Sequence, residues 1–306
     1  MIDVDGHNFP NLALMKLAAW HKARGDIVEW WSGFVHYDRV YMSKVFTFSY
    51  DFETVIDADE VVRGGTGYKI YDDLPPEIEA TKPDYTIYPD FKQAVGFLTR
   101  GCIRSCPWCV VPRKEGKIRA AASWRDIKRP DSNEILFLDN NVLAHEWGLS
   151  QIEDMGGQPV KVDFNQGLDA RLIDHNVAAL LSRLKWIKFC RMSCDTSAML
   201  PVVEQASAYL QEVGIKASRL WCYVLVKDVE EAERRVMALD AMGITTFAQP
   251  YRDYCGGEPT KRQKEFARWV NNKAVFRSCK WADYKKNKKG AEHENHFAER
   301  GGLDTD

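Results

Sequence analysis

The sequence predicts an α/β protein, built as a small α/β unit followed by a parallel barrel, complete or partial, of six β-α units. From residue 93 onward, apolar strand segments alternate with amphipathic helical segments six times. The strand segments are rich in apolar residues, as buried parallel strands are. A stretch with four of the twelve prolines, 71–92, separates the two units. An open doubly wound sheet is the alternative that periodicity leaves open.

The elements of the larger unit follow in order. Its strand segments are 93–100, 134–139, 161–166, 188–194, 219–226 and 245–250. The helical segments between them are 145–155, 174–185, 199–213, 229–242 and 261–272. We therefore expect a domain over 91–275, and the lysine-rich segment 276–306 predicts a polar basic tail.

Residues 1–90 predict the smaller unit. A short strand segment near Ile2 leads to a helical face that includes Leu14, Leu17 and Ala18. Strand segments at 26–30, 38–49 and 58–65 follow, and the last one ends at a glycine pair. The β-α-β order is Rossmann-like in outline.

Composition argues against a membrane-spanning protein and against a secreted one. The chain has 306 residues, of which 45% are hydrophobic and 28% are charged, and no apolar run approaches the roughly 20 residues that span a bilayer. The N-terminus lacks a signal-peptide pattern, so the eight cysteines are expected to be thiols or ligands in the cytoplasm. The formal net charge of −2 does not indicate nucleic acid as a partner.

Three cysteines are closely spaced in the segment 98–117. Cys102, Cys106 and Cys109 have the spacing C-x3-C-x2-C, and nearby arginines and lysines favour their thiolate forms. A structural zinc site and a cubane iron–sulfur cluster both usually take four protein ligands. No fourth cysteine or histidine lies nearby in the sequence, so a metal bound here would keep one open position.

This motif, with Trp108 directly before the third cysteine, resembles the C-x3-C-x-aromatic-C signature of the radical S-adenosylmethionine (SAM) superfamily. The resemblance implies a partial six-unit TIM-like barrel and a [4Fe–4S] cluster on Cys102, Cys106 and Cys109. It also implies SAM as cofactor, a 5′-deoxyadenosyl radical that abstracts hydrogen from an unknown substrate, and an electron donor such as flavodoxin or ferredoxin. The alternative is a non-enzymatic zinc or iron–sulfur module that contacts nucleic acid.

Polar residues at the carboxyl ends of the strands are the candidate SAM contacts, because functional groups gather there in parallel barrels. Asp139 and Asn140 occupy the place where the family commonly has a segment that receives the amino group of SAM. Arg171 suits a carboxylate. The remaining candidates are Ser193 and Asp195 for ribose hydroxyls, and Gln249.

The first unit resembles the cobalamin-binding-like domain of B12-dependent radical SAM enzymes. Its loop around His7 matches that family only in part, because Pro10 stands where the family has glycine. We therefore expect a degenerate domain without cobalamin. Methylthiotransferases carry three cluster cysteines in this domain, and residues 1–90 contain none, so that activity is not expected.

Overall fold

The computed structural model describes residues 1–6, 9–71, 73–254 and 257–284. The strands are β1 (Ile2–Asp3), β2 (Tyr37–Ser43), β3 (Ala58–Gly64), β4 (Ala94–Gly96), β5 (Thr99–Arg100), β6 (Arg119–Ala120), β7 (Glu134–Phe137), β8 (Lys161–Phe164), β9 (Lys185–Trp186), β10 (Cys190–Ser193), β11 (Leu220–Val226) and β12 (Thr245–Pro250). The helices are α1 (Leu12–Lys22), α2 (Pro76–Glu79), α3 (Val111–Lys114), α4 (Trp124–Ile127), α5 (Glu146–Met155), α6 (His175–Ser182), α7 (Leu200–Glu212), α8 (Val229–Ala241), α9 (Lys261–Asn271) and α10 (Lys273–Ser278).

The N-terminal part forms a three-stranded parallel sheet in the order β1-β2-β3. Helix α1 begins where the Asn11 side chain accepts a hydrogen bond from the Leu14 amide, and it buries Leu14 and Met15. The expected strand at 26–30 is absent, whereas those at 38–49 and 58–65 are present in shortened form. The β-α-β order predicted from the sequence is therefore found, with a long loop between β2 and β3.

Most strands of the larger part are parallel, as the sequence predicts, and these form two sheets. One has the order β4-β7-β8-β9 and the other the order β10-β11-β12. A parallel bridge between Leu168 and Met192 joins them, and the Leu168 amide donates to the Arg191 carbonyl at 2.7 Å. All six predicted strand segments and all five predicted helices of this part are present within a few residues.

The strands β10–β12 differ from the prediction in one respect. One face of β11 is fully buried, whereas the alternate residues, including Trp221 and Tyr223, are half-buried. On this second face the Arg191 guanidinium donates to both Asp163 carboxylate oxygens, at 2.6 and 2.7 Å, and to the Tyr223 hydroxyl at 3.2 Å. Trp221 and Phe247 stack beside it. A buried ion pair and aromatic rings therefore occupy part of this face.

The strand ends are also tied together from the helix side. Arg235 of α8 is fully buried and donates to the Cys194 carbonyl after β10 and to the Leu225 carbonyl in β11. This cross-link fixes the carboxyl ends of two neighbouring strands relative to each other.

The C-terminal part packs further than the sequence predicts. Trp281 is 4% exposed and contacts Phe266 and Trp269 of α9. The packed region therefore extends past the expected boundary at 275 and includes the first part of the expected tail. Residues 285–306, which hold most of that tail, lie outside the described residues.

The loops that follow β2 and β3 contact the loops of the larger part. The Tyr254 hydroxyl donates to the Thr66 carbonyl at 3.0 Å, and the Arg252 guanidinium lies 3.9 Å from the centroid of the Phe48 ring. Lys114 pairs with Asp73 at 2.8 Å. These contacts bring the carboxyl edge of the first sheet to the side of the molecule that carries the cysteine segment. None of the helices in the described part of the chain has both the length and the apolar character needed to cross a bilayer.

Candidate functional site

The three motif cysteines lie on a loop that the strand pair β5–β6 closes at its base. These two short strands are antiparallel, and the Cys102 amide donates across the loop to the Gly116 carbonyl at 3.2 Å. Gly101 has φ +85°, and a Cβ there would lie 2.5 Å from the Lys117 carbonyl oxygen. Only glycine lets the two sides of the loop approach this closely. We call residues 101–118 the cysteine loop.

Successive residues of the segment that follows β7 accept hydrogen bonds from the chain that leads into this loop. Asp139 accepts from the Leu98 amide at 3.0 Å, and from the Thr99 amide and hydroxyl at 2.6 and 2.8 Å. Asn140 accepts from the Gly101 amide at 3.0 Å. Asp139 and Asn140, which the sequence marked as SAM contacts, are therefore bonded to the backbone that leads into the cysteine loop.

The Asp139 carboxylate is 3% exposed. Burial raises its pKa to about 6, and the hydrogen bonds from Thr99 and Leu98 limit the rise. The carboxylate accepts from three donors, so it fixes the backbone before the loop.

Asn141 continues the pattern and reaches a cysteine. Its Nδ2 donates to the Cys102 sulfur at 3.4 Å and to an Asp169 carboxylate oxygen at 3.2 Å. Its Oδ1 is buried and has no hydrogen-bond partner among the described residues. Because a buried acceptor without a donor is costly, this atom marks a place where a donor could be received.

Asp169 accepts hydrogen bonds from donors that lie near two of the cysteines. Besides Asn141, it accepts from the Arg104 Nε at 3.0 Å and from the Arg171 Nε at 2.6 Å. These two arginines hold the pKa of Asp169 below its ordinary value although its burial acts in the opposite direction. Arg171 in turn has a raised pKa, chiefly because of its hydrogen bond to Asp169 and to a smaller extent because Cys106 lies nearby.

The third cysteine lies beside a different set of groups. Trp108 and Ser193 lie near the Asp195 carboxylate, and both act to lower its pKa. Burial raises the pKa of Asp195, while Arg235 opposes the rise. The Lys227 ammonium lies 4.8 Å from the centre of the Trp108 ring and 4.4 Å from that of Tyr251.

The thiols themselves are half-buried, and they affect one another electrostatically. Burial raises the pKa of Cys109, and the neighbouring Cys106 and Cys102 raise it further. If all three were deprotonated, their charges would repel one another, and a bound cationic centre would remove that repulsion. Within the described ranges, no set of three or more Cys, His, Asp and Glu side chains is gathered closely enough to hold a metal ion.

Three further cysteines differ from those of the motif. Cys190, Cys194 and Cys222 are buried in the core, and burial raises the pKa of each thiol, that of Cys194 to about 11. They pack as small apolar side chains.

Most of the sequence-predicted residues lie around the cysteine loop. Asp139, Asn140 and Arg171 contact the loop or the strand that enters it, and Ser193 and Asp195 reach it through Trp108. Gln249 is exposed near the end of β12, and its contact with SAM stays a prediction. Sequence reasoning missed Asn141 and Lys227 as neighbours of the loop, although Asn141 stands in the same Asp-Asn-Asn run.

The carboxyl edge of the first sheet is filled by its own backbone. A Cβ on Gly65, which has φ +94°, would lie 2.5 Å from the Lys44 carbonyl oxygen, and one on Gly67 would lie 2.6 Å from the Lys44 Cγ. Asp5 accepts from the Val45 amide and from the Ser49 hydroxyl. Gly65, the second glycine of the pair, and Gly67 therefore have a packing role. His7 lies outside the described residues.

Comparison of the chain with protein-family models, curated proteins and solved structures gives no match.

Proposed function

We propose that this chain is a radical SAM enzyme whose Cys102, Cys106 and Cys109 hold a [4Fe–4S] cluster. One observation carries the proposal beyond the motif itself. The cysteine loop is bonded, residue after residue, to the Asp-Asn-Asn segment that ends the neighbouring parallel strand. A loop held this way at the carboxyl ends of parallel strands is placed where such folds carry their chemistry.

We further propose that the two parallel sheets act as one partial (β/α)6 barrel. The bridge between Leu168 and Met192 and the alternation of strands with helices support this interpretation. In this arrangement the six strand ends would share one rim, and the loops of the first unit would border it through Thr66, Phe48 and Asp73.

The donor set suits the proposed cluster. Thiolates are the usual ligands of iron–sulfur clusters, and three of them leave one iron for a cofactor. When bound, a reduced [4Fe–4S] cluster supplies the electron that cleaves SAM into methionine and a 5′-deoxyadenosyl radical.

The remaining residues have roles that follow from their positions. Asp139 and Asn140 fix the backbone of the cysteine loop. Arg171, Ser193, Asp195 and Gln249 are proposed to contact SAM at the rim, and the substrate stays unnamed. The electron would come from a donor such as flavodoxin or ferredoxin, in the cytoplasm.

Anaerobic reconstitution with iron and sulfide tests the proposal. We expect a brown protein with about four irons per chain, the content of one cubane. A colourless protein that binds zinc and takes up no iron would instead support the metal-binding module.

A further inference from the structure

We propose that Asp169 is a positioning residue that tunes the reduction potential of the cluster, by its own charge and by holding Asn141, Arg104 and Arg171. This inference rests on the proposed function. It concerns the one-electron reduction of the cluster by an external reductant, before SAM is cleaved.

The geometry converges on one carboxylate. The Asp169 side chain is 6% exposed, and three donors from three segments of the chain meet on it: Arg104 within the cysteine loop, Asn141 after β7, and Arg171. One of these donors also donates to a ligand sulfur, since Asn141 Nδ2 bonds to Cys102, and the Arg171 guanidinium lies near Cys106. Asp169 therefore fixes the direction of a group that donates to one ligand and of a cation near a second.

The signs of the effects follow from charge. Reduction adds a negative charge to the cluster, so hydrogen bonds donated to its sulfur ligands and nearby positive charges stabilise the reduced form. A negative charge nearby has the opposite effect. Asp169 therefore lowers the reduction potential by its own charge, while Asn141 raises it through the bond to Cys102.

Two isosteric or near-isosteric substitutions separate these contributions. Asp169→Asn removes the charge and keeps one of the two acceptor oxygens, so the bonds to the other oxygen are lost as well. Because the negative charge is gone and both arginines remain, the potential is expected to rise. Asn141→Leu keeps the approximate volume and removes the donor to sulfur, so the potential is expected to fall. Loosening of the loop alone would not move the two variants in opposite directions.

The chain offers a matched control. Asp163 is also a buried carboxylate paired with an arginine in the same part of the fold, and its side chain is 4% exposed. Its carboxylate is bonded to Arg191 on the half-buried face of the strands. Asp163→Asn should therefore leave the potential unchanged.

The experiment is a redox titration of the reconstituted, SAM-free protein, followed by the signal of the reduced cluster in electron paramagnetic resonance. At a fixed solution potential, we expect the ratio of reduced to oxidised cluster to rise about tenfold in Asp169→Asn, which is about 59 mV for a one-electron couple. It should fall in Asn141→Leu. Iron content and thermal unfolding, measured on each variant, show whether the cluster and the fold are retained.

Two results would overturn the inference while leaving the enzyme class intact. One is an unchanged potential in both variants at full iron content. The other is a shift in Asp163→Asn as large as that in Asp169→Asn. If Asp169→Asn does not load iron, the direction of the shift in Asn141→Leu decides. A wild-type protein that takes up no iron would instead contradict the proposed function itself.

Discussion

Two parallel sheets of this protein end in polar loops, and the two loop regions are filled differently. After β2 and β3, the glycines at 65 and 67 pack against the Lys44 backbone, and Asp5 satisfies the amide of Val45. After β4 and β7, the loop is also held by hydrogen bonds, but its cysteine side chains stay half-buried and the Asn141 Oδ1 lacks a partner in the described part of the chain.

The comparison shows why similar secondary structure does not imply a similar site. In the first region, Gly65 and Gly67 pack directly against Lys44, and the Asp5 carboxylate is hydrogen-bonded to the Val45 amide. In the second region the backbone is fixed by Asp139 and Asn140, while sulfur atoms and one amide oxygen remain available to a ligand. The second region is therefore the candidate site.

The largest expected effect comes from removing the sulfur ligands of the second region. Replacing Cys102, Cys106 and Cys109 together with alanine should abolish iron uptake in anaerobic reconstitution, because no thiolate of the motif remains. Cys222→Ala is the control. That thiol is buried in the core, so the variant should still bind about four irons per chain. Full iron content in the triple variant would contradict the assignment.

A smaller effect is expected from the carboxylate that fixes the second region. Asp139→Ala leaves two backbone amides and a hydroxyl without their acceptor, which should lower the free energy of unfolding by roughly 2–4 kcal/mol. Denaturant titration would measure the loss. A change below about 0.5 kcal/mol would show that these hydrogen bonds are replaced by water.

The same residue predicts a pH dependence. Because burial raises the pKa of Asp139 to about 6 in the folded state, the unfolded chain releases this proton first as pH rises. The contribution of Asp139 to the free energy of unfolding should therefore be largest below about pH 4 and decrease up to about pH 6. The free energy of unfolding of wild type minus that of Asp139→Asn isolates the effect, and it should decrease across this range. An increase of this difference with pH would contradict the prediction.

In the first region, Gly65→Ala tests the close backbone contact. The variant combines a left-handed backbone with a Cβ only 2.5 Å from the Lys44 oxygen, so a loss of about 1–3 kcal/mol in stability is expected. Gly25→Ala is a matched control, because Gly25 has φ +89° and a Cβ there would meet no atom of the described residues within 4 Å. Equal losses in the two variants would show that the contact with Lys44 contributes nothing.

The last prediction concerns the first region, which we expect not to bind cobalamin. Protein mixed with hydroxocobalamin should lose it on gel filtration, because Lys44 and the glycines fill the edge where a cofactor would approach. Stoichiometric retention that His7→Ala weakens would show that this edge binds cobalamin after all.

The sequence predicted the strands and helices of the larger part well, because their apolar periodicity is strong. It failed at 26–30, where an apolar run forms no strand, and at Trp281, which is buried within the expected tail. The assignment of Asp139 and Arg171 to SAM stays a prediction, and the sequence did not reveal that these residues are hydrogen-bonded to Leu98, Thr99 and Asp169. Such contacts join residues distant in the chain, so spacing alone could not reveal them.

The central claim is most directly tested by 5′-deoxyadenosine formation. Reconstituted protein, reduced with dithionite and given SAM without a substrate, should release 5′-deoxyadenosine and methionine slowly, and Cys109→Ala should release none. Cluster-loaded, reduced protein that neither binds nor cleaves SAM would contradict the assignment as a radical SAM enzyme.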